Sequence, residues 1–317
     1  MADRNYDPEL APLLAVLPGS DDLSSLQKVQ ESRALLESFF TSTDRPDVMK
    51  ENRHVPGPKG APEVAVRIYR PEGSDSEVLP CVFEIHGGGF LMGSIAMMED
   101  WCQNVAAELG AAVVSVDYRL APEHPFPAGL DDCYAALSWT ASHADALRID
   151  PGRIAIAGQS AGGGLAAATA LLCRDRGGPS VCFQLLEIPE LDDRLETPSM
   201  QQFDDTPLWS RPNAVWSWRH YLGDAHGGDV SPYAAPSRAA DLGNLPPAYV
   251  SVMEFDPLRD EGVLYALALM QAGVATELHA FPGTFHGSSL FPQAAVSKRA
   301  TAESFDALAR GLVRREG

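Results

Sequence analysis

Apolar residues along this chain fall into short runs, each followed by a loop and then by a stretch with helical spacing. The runs occupy residues 81–85, 112–116, 154–157, 181–186, 248–253 and 276–281. Strands that alternate with helical segments imply right-handed crossovers and an α/β fold with a mostly parallel sheet covered on both faces. Such sheets place ligands at the carboxyl ends of their strands. Ahead of the runs, residues 6–40 read as helical, with Leu26, Val29, Leu35 and Phe39 near helical spacing. After the Pro- and Gly-rich stretch 56–62, the alternation of Val64, Val66 and Ile68 predicts a strand with one buried face, suited to an antiparallel edge.

One interval breaks the rhythm. Residues 192–229 carry no clear strand yet hold Phe203, Trp209, Trp216, Trp218 and Tyr221, which predicts a helical insertion. An insertion that follows a parallel strand lies over the strand ends, so these aromatics either form its own small core or roof a site.

With 317 residues, 45% of them hydrophobic, the chain can bury a large core. A net charge of -19 leaves no broad basic surface for a phosphate backbone and is repelled by anionic lipid, so neither nucleic acid nor membrane is expected as a partner. The first residues lack a basic stretch leading into an apolar one, and no run of about 18 apolar residues occurs. A soluble cytoplasmic protein is expected. Cys81, Cys102, Cys133, Cys173 and Cys182 are odd in number and form no CxxC pair, which suits reduced core residues and not zinc ligands or a disulfide frame. No metal or cofactor is expected.

Chemistry enters at GQSAG, residues 158–162, between an apolar run and an Ala-rich helical stretch. A serine hydroxyl is a weak nucleophile unless held exposed beside a base, and a sharp strand-to-helix turn flanked by small residues achieves that exposure. Ala161 then starts the helix, with its free N–H toward the space before Ser160. Taken alone, the stretch is equally a glycine-rich turn with a capping serine. Gly162, Gly164 and Ala167 formally fit G-x-G-x-x-A, but that fingerprint needs its first glycine directly after the strand, and no GxxxxGK[ST] occurs.

Upstream, HGGGF at 86–90 follows another strand. Gly87, Gly88 and Gly89 let the backbone turn N–H groups inward, where they suit a negative oxygen. His86, beside them, is read as fixing that loop by hydrogen bonding and not as a base. Of the remaining histidines, His54, His124, His143, His220 and His226 have no catalytic partner nearby in sequence, and His279 is tied inside a strand. His286, in the loop FPGTFHG after the last strand, is the base candidate. Asp256 stands before Pro257 in the preceding strand-end loop and is either a helix cap or the carboxylate that orients His286. Asp260 and Glu261 fall in the first helical turn, where the macrodipole alone favours them. The order Ser160, Asp256, His286 is that of α/β-hydrolases.

With these residues the chain resembles the hormone-sensitive-lipase-like esterases, bacterial family IV of the α/β-hydrolase fold. The resemblance rests on HGGGF, DYRLAPEHPFPA at 117–128, GQSAGGGLA at 158–166, DPLRDEG at 256–262 and FPGTFHG at 281–287. It implies Ser160 as nucleophile, His286 as base and then acid, Asp256 as orienting carboxylate, and the N–H groups of Gly88, Gly89 and Ala161 as oxyanion hole. It implies a core of residues 51–191 and 230–317, capped by the N-terminal helices (residues 1–50) and the insertion 192–229. A cofactor-independent hydrolase of short- to medium-chain acyl esters follows, possible as a homodimer. The alternatives are amide or peptide hydrolysis on the same triad, or a non-enzymatic small-molecule receptor. The plant gibberellin receptors resemble this family but lack the histidine. Two positions depart from the family pattern: Gln159 where an acid or threonine is common, and Gly164 where asparagine is usual. The stretch after His286-Gly287 also lacks the common phenylalanine.

Overall fold

The computed structural model describes residues 4–15, 17, 22–40 and 42–313. Eight strands form one sheet: β1 Val48–Val55, β2 Val64–Pro71, β3 Leu79–Ile85, β4 Ala112–Asp117, β5 Ile149–Gln159, β6 Phe183–Glu187, β7 Ala248–Phe255 and β8 Thr276–Phe285. Their spatial order is β1-β2-β4-β3-β5-β6-β7-β8. From β4 to β8 every pairing is parallel, while β1 and β2 are antiparallel. The helices are α1 Leu26–Phe39, α2 Glu99–Leu109, α3 Ala128–Ser142, α4 Ala144–Leu147, α5 Ala161–Arg176, α6 Pro198–Gln202, α7 Arg211–Leu222, α8 Arg259–Gln271 and α9 Ala295–Gly311.

Alternation along the strands divides the core in two. Cys81, Phe83 and Ile85 of β3 pack with Cys133 and Leu137 of α3, Leu165 and Leu172 of α5 and Leu269 of α8. Val82, one residue out of phase, joins Cys102 and Val105 of α2 and Phe305 and Leu308 of α9 on the other face. Both faces are therefore covered, and the parallel strands read as continuous apolar runs for that reason.

Three sequence expectations change. The strand at Val64 is not the edge, because β1 pairs outside it. β1 reads VMKENRHV, and only its terminal valines are buried, so no apolar pattern announces it. The helical reading of residues 6–40 resolves into a short 3-10 turn, Ala11–Ala15, and α1; residues 16 and 18–21 within it lie outside the described residues. Finally, β8 continues past Phe281 to Phe285, where Phe285 pairs with Phe255, so His286 stands at the strand's end and not midway along a loop. The insertion 192–229 contains α6 and α7 and no strand.

Candidate active site

The carboxyl ends of β5, β7 and β8 bring Ser160, Asp256 and His286 together. Ser160 follows β5 with φ 56° and ψ -123°, a strained conformation for a residue with a Cβ. Its neighbours make that turn sterically feasible. A Cβ on Gly158 would lie 2.2 Å from the Gly162 carbonyl oxygen, and one on Gly162 would lie 2.0 Å from that of Ile85. The Ser160 N–H donates to the Glu187 carbonyl at 2.9 Å, and its own carbonyl accepts from Gly164 and Glu190 at 3.1 and 3.0 Å.

The Ser160 hydroxyl lies 3.0 Å from His286 Nε2, and His286 Nδ1 lies 2.7 Å from Asp256 Oδ2. A carboxylate oxygen accepts only, so Nδ1 carries the proton and Nε2 is left to accept from serine. Asp256 is fully buried, and its other oxygen accepts the Leu258 N–H at 2.9 Å. The neighbouring acids are engaged elsewhere. Glu254 accepts the Gly283 N–H, Asp260 that of Ser199, and Glu261 those of Leu191 and Asp192.

On the opposite side, Gly88 and Gly89 have φ of 114° and 59°, and a Cβ on Gly87 just before them would lie 3.4 Å from Ser160 Cβ, so the loop passes beside the serine. His86 does not reach Ser160. Its Nδ1 donates to the Gly87 carbonyl at 2.8 Å, its ring stacks on Tyr118 at 4.3 Å, and burial pushes its pKa down to about 4, which keeps it neutral. The stretch DYRLAPEHPFPA packs behind this loop. The Tyr118 hydroxyl donates to the His86 carbonyl at 3.0 Å and the Ala121 N–H to that of Phe90 at 3.0 Å. Arg33 on α1 reaches the carbonyls of Leu91 and Ala121 at 2.6 and 2.8 Å and pairs with Glu123. Nothing in the spacing of that stretch assigns its residues a role; only the fold shows which carbonyls they hold.

The tryptophans of the insertion divide between the two readings. Trp218 is fully buried against Phe90 and Tyr221. Trp209 instead faces the site, 5.9 Å from the His286 ring, and a Cβ on Gly89 would lie 2.3 Å from its outer edge. Leu208, with φ 61°, lies against Gly287. Met200, Trp209 and Ala214 share an apolar cluster with Leu23 and Val29 of the N-terminal segment and Leu91 and Met92 of the glycine loop.

The two departures from the family pattern also find partners. The Gln159 amide donates to Glu187 on β6 at 2.9 Å. A Cβ on Gly164 would meet the Glu190 carbonyl oxygen at 2.1 Å, so this chain has no room for a larger residue there. Cys81, Cys102, Cys133 and Cys173 are buried free thiols, no metal-binding cluster occurs among the described residues, and none of the described helices is long and apolar enough to cross a membrane.

Known proteins share this fold. Residues 82–290 match a family model described as the alpha/beta hydrolase fold. The solved structure of a bacterial heroin esterase is 53% identical, with a TM-score of 0.94 over 98% of this chain and 99% of that one. The carboxylesterase NlhH of Mycobacterium tuberculosis is 39% identical over 98% of each chain. An ethyl acetate hydrolase of Pseudomonas putida is 32% identical over 82% of this chain and 80% of its own. Family model, sequence relatives and solved fold agree, and the chain belongs to the α/β-hydrolase fold family, among its hormone-sensitive-lipase-like esterases.

Proposed function

We propose that this enzyme hydrolyses carboxylic esters of short to medium acyl chain through Ser160, His286 and Asp256. The observation that carries the reading is the unbroken chain of hydrogen bonds from Ser160 through His286 to a buried carboxylate. Ser160 Oγ attacks the ester carbonyl carbon while its proton passes to His286 Nε2. The resulting oxyanion faces the N–H groups of Gly88, Gly89 and Ala161, donors fixed before the charge develops. The C–O bond to the alcohol breaks, and the alkoxide leaves with the proton from Nε2. Water then loses a proton to Nε2 and attacks the acyl-enzyme, which frees the acid and returns the proton to Ser160. Asp256 holds the imidazole in the accepting tautomer and stabilises the imidazolium. His86 and Gly87 support the glycine loop.

Residues 1–50 and 192–229 form the cap in this reading. Trp209 and Leu208 close the space beside His286 and Gly89, which supports a short acyl group. The name of the ethyl acetate hydrolase relative supports the same limit. Four buried free thiols, Cys81, Cys102, Cys133 and Cys173, suit a reducing compartment such as the cytoplasm.

The test is hydrolysis of p-nitrophenyl acetate, butyrate and longer esters by wild type, Ser160→Ala and His286→Ala. Both variants are expected to lose on the order of 10⁴-fold or more in kcat. Turnover near wild type in Ser160→Ala would refute the mechanism.

A further inference from the structure

Glu190 lies in the loop after β6, fully buried, with one carboxyl oxygen, Oε2, lacking any partner. Its other oxygen is 3.0 Å from the hydroxyl of Ser217 on α7. That same hydroxyl is 2.9 Å from the carbonyl oxygen of Gly89. Serine has one proton to give and a carbonyl has none, so the two contacts are both full hydrogen bonds, and not one shared proton, only when the carboxyl supplies a second proton.

We propose that Glu190 is a neutral carboxylic acid that positions the oxyanion loop, donating to Ser217 so that Ser217 donates to Gly89. The acid is a positioning residue, since it touches the reacting atoms only through the serine and the loop. Ionisation of Glu190 turns it into an acceptor that competes with Gly89 for the single serine proton. The Gly89 carbonyl then loses its anchor, in a loop whose glycines offer no side chain to hold it otherwise. The Gly89 N–H moves with it.

The surroundings oppose ionisation. Asp256 faces Glu190 from the loop after β7, Glu261 from α8 and Tyr221 from α7, and none of them carries positive charge. Burial, with the Asp256 charge beside it, pushes the Glu190 carboxyl up to about 8. The acid is thus protonated through neutral pH and releases its proton on the alkaline side.

The inference rests on the reading of Gly88 and Gly89 as oxyanion donors, and its test separates the two. The pH profile of kcat for p-nitrophenyl butyrate is measured for the full-length wild type, Glu190→Gln, Glu190→Ala and Ser217→Ala. Wild type is expected to lose activity as pH rises through about 8. Glu190→Gln, whose amide still donates to Ser217, is expected to stay within about tenfold of wild type at neutral pH and to remain flat into the alkaline range. Glu190→Ala and Ser217→Ala are expected to fall by about 10- to 100-fold in kcat with KM little changed, and to show no alkaline limb. The same alkaline limb in wild type and in the folded variants, or a wild type with none, overturns the role of Glu190. Full activity in Ser160→Ala would instead break the triad reading, which the Glu190 result leaves untouched.

Discussion

Ser160, Asp256 and His286 stand at the ends of three strands of one sheet, whereas the residues packed around Trp209 come from segments that share no sheet at all. On the catalytic side the backbone is fixed by strand pairing from β5 through β8. On the facing side, Leu23, Val29, Met200, Trp209 and Ala214 come from two remote stretches and meet in a small apolar cluster. The triad is held by a ladder of hydrogen bonds, and Trp209 beside it by side-chain packing. Ladder and cluster should therefore respond differently to substitution: changes below the substrate alter the rate for every ester, and changes above it alter which ester is preferred.

Asp256→Asn gives the largest effect that separates the two. An amide in place of the carboxylate favours the wrong imidazole tautomer, so kcat is expected to fall on the order of 10⁴-fold for acetate and hexanoate esters alike. An unchanged rate would assign the acid role elsewhere and dissolve the contrast. Trp209→Ala should act in the opposite sense. Each methylene in an apolar pocket is worth about 10-fold or more in discrimination, so the hexanoate-to-acetate ratio of kcat/KM is expected to rise by about that factor. A parallel loss for both esters would place Trp209 with the catalytic side instead.

The smallest effect lies in the sheet itself. Glu84 on β3 is fully buried, accepts from Ser115, and has its second oxygen without a partner. Burial pushes its carboxyl up to about 8, above the value of about 4.3 expected in the unfolded chain. The folded state therefore holds a proton that the unfolded state gives up, and stability falls as pH rises between those values. Melting temperature measured from about pH 5 to about pH 8 should decline in wild type and decline less in Glu84→Gln. Equal slopes would mean that Glu84 is ionised within the sheet.

Much of the catalytic side was legible because its signals are local. Buried parallel strands read as apolar runs, and GQSAG, Asp256 before Pro257, and FPGTFHG each carry their own turn chemistry. β1 escaped because an exposed edge strand needs no apolar alternation, and five of its eight residues are Lys50, Glu51, Asn52, Arg53 and His54. The facing side resisted for another reason. Trp209, Trp216 and Trp218 sit within ten residues, and no period separates the one against His286 from the one against Phe90. Glu190 and Ser217 belong to no motif, and their meeting depends on α7 folding back across the glycine loop.

Gly164 has a bearing on protein engineering. The family pattern would recommend asparagine there, and a consensus-guided stabilisation scheme would install it as a safe improvement. In this chain the space is already taken by the Glu190 carbonyl, whose residue's N–H also ties to Ser160. Every residue at 190 carries that carbonyl, so no substitution there frees the space, and a library guided by the family pattern will score position 164 as fixed unless the backbone at 190 moves as well.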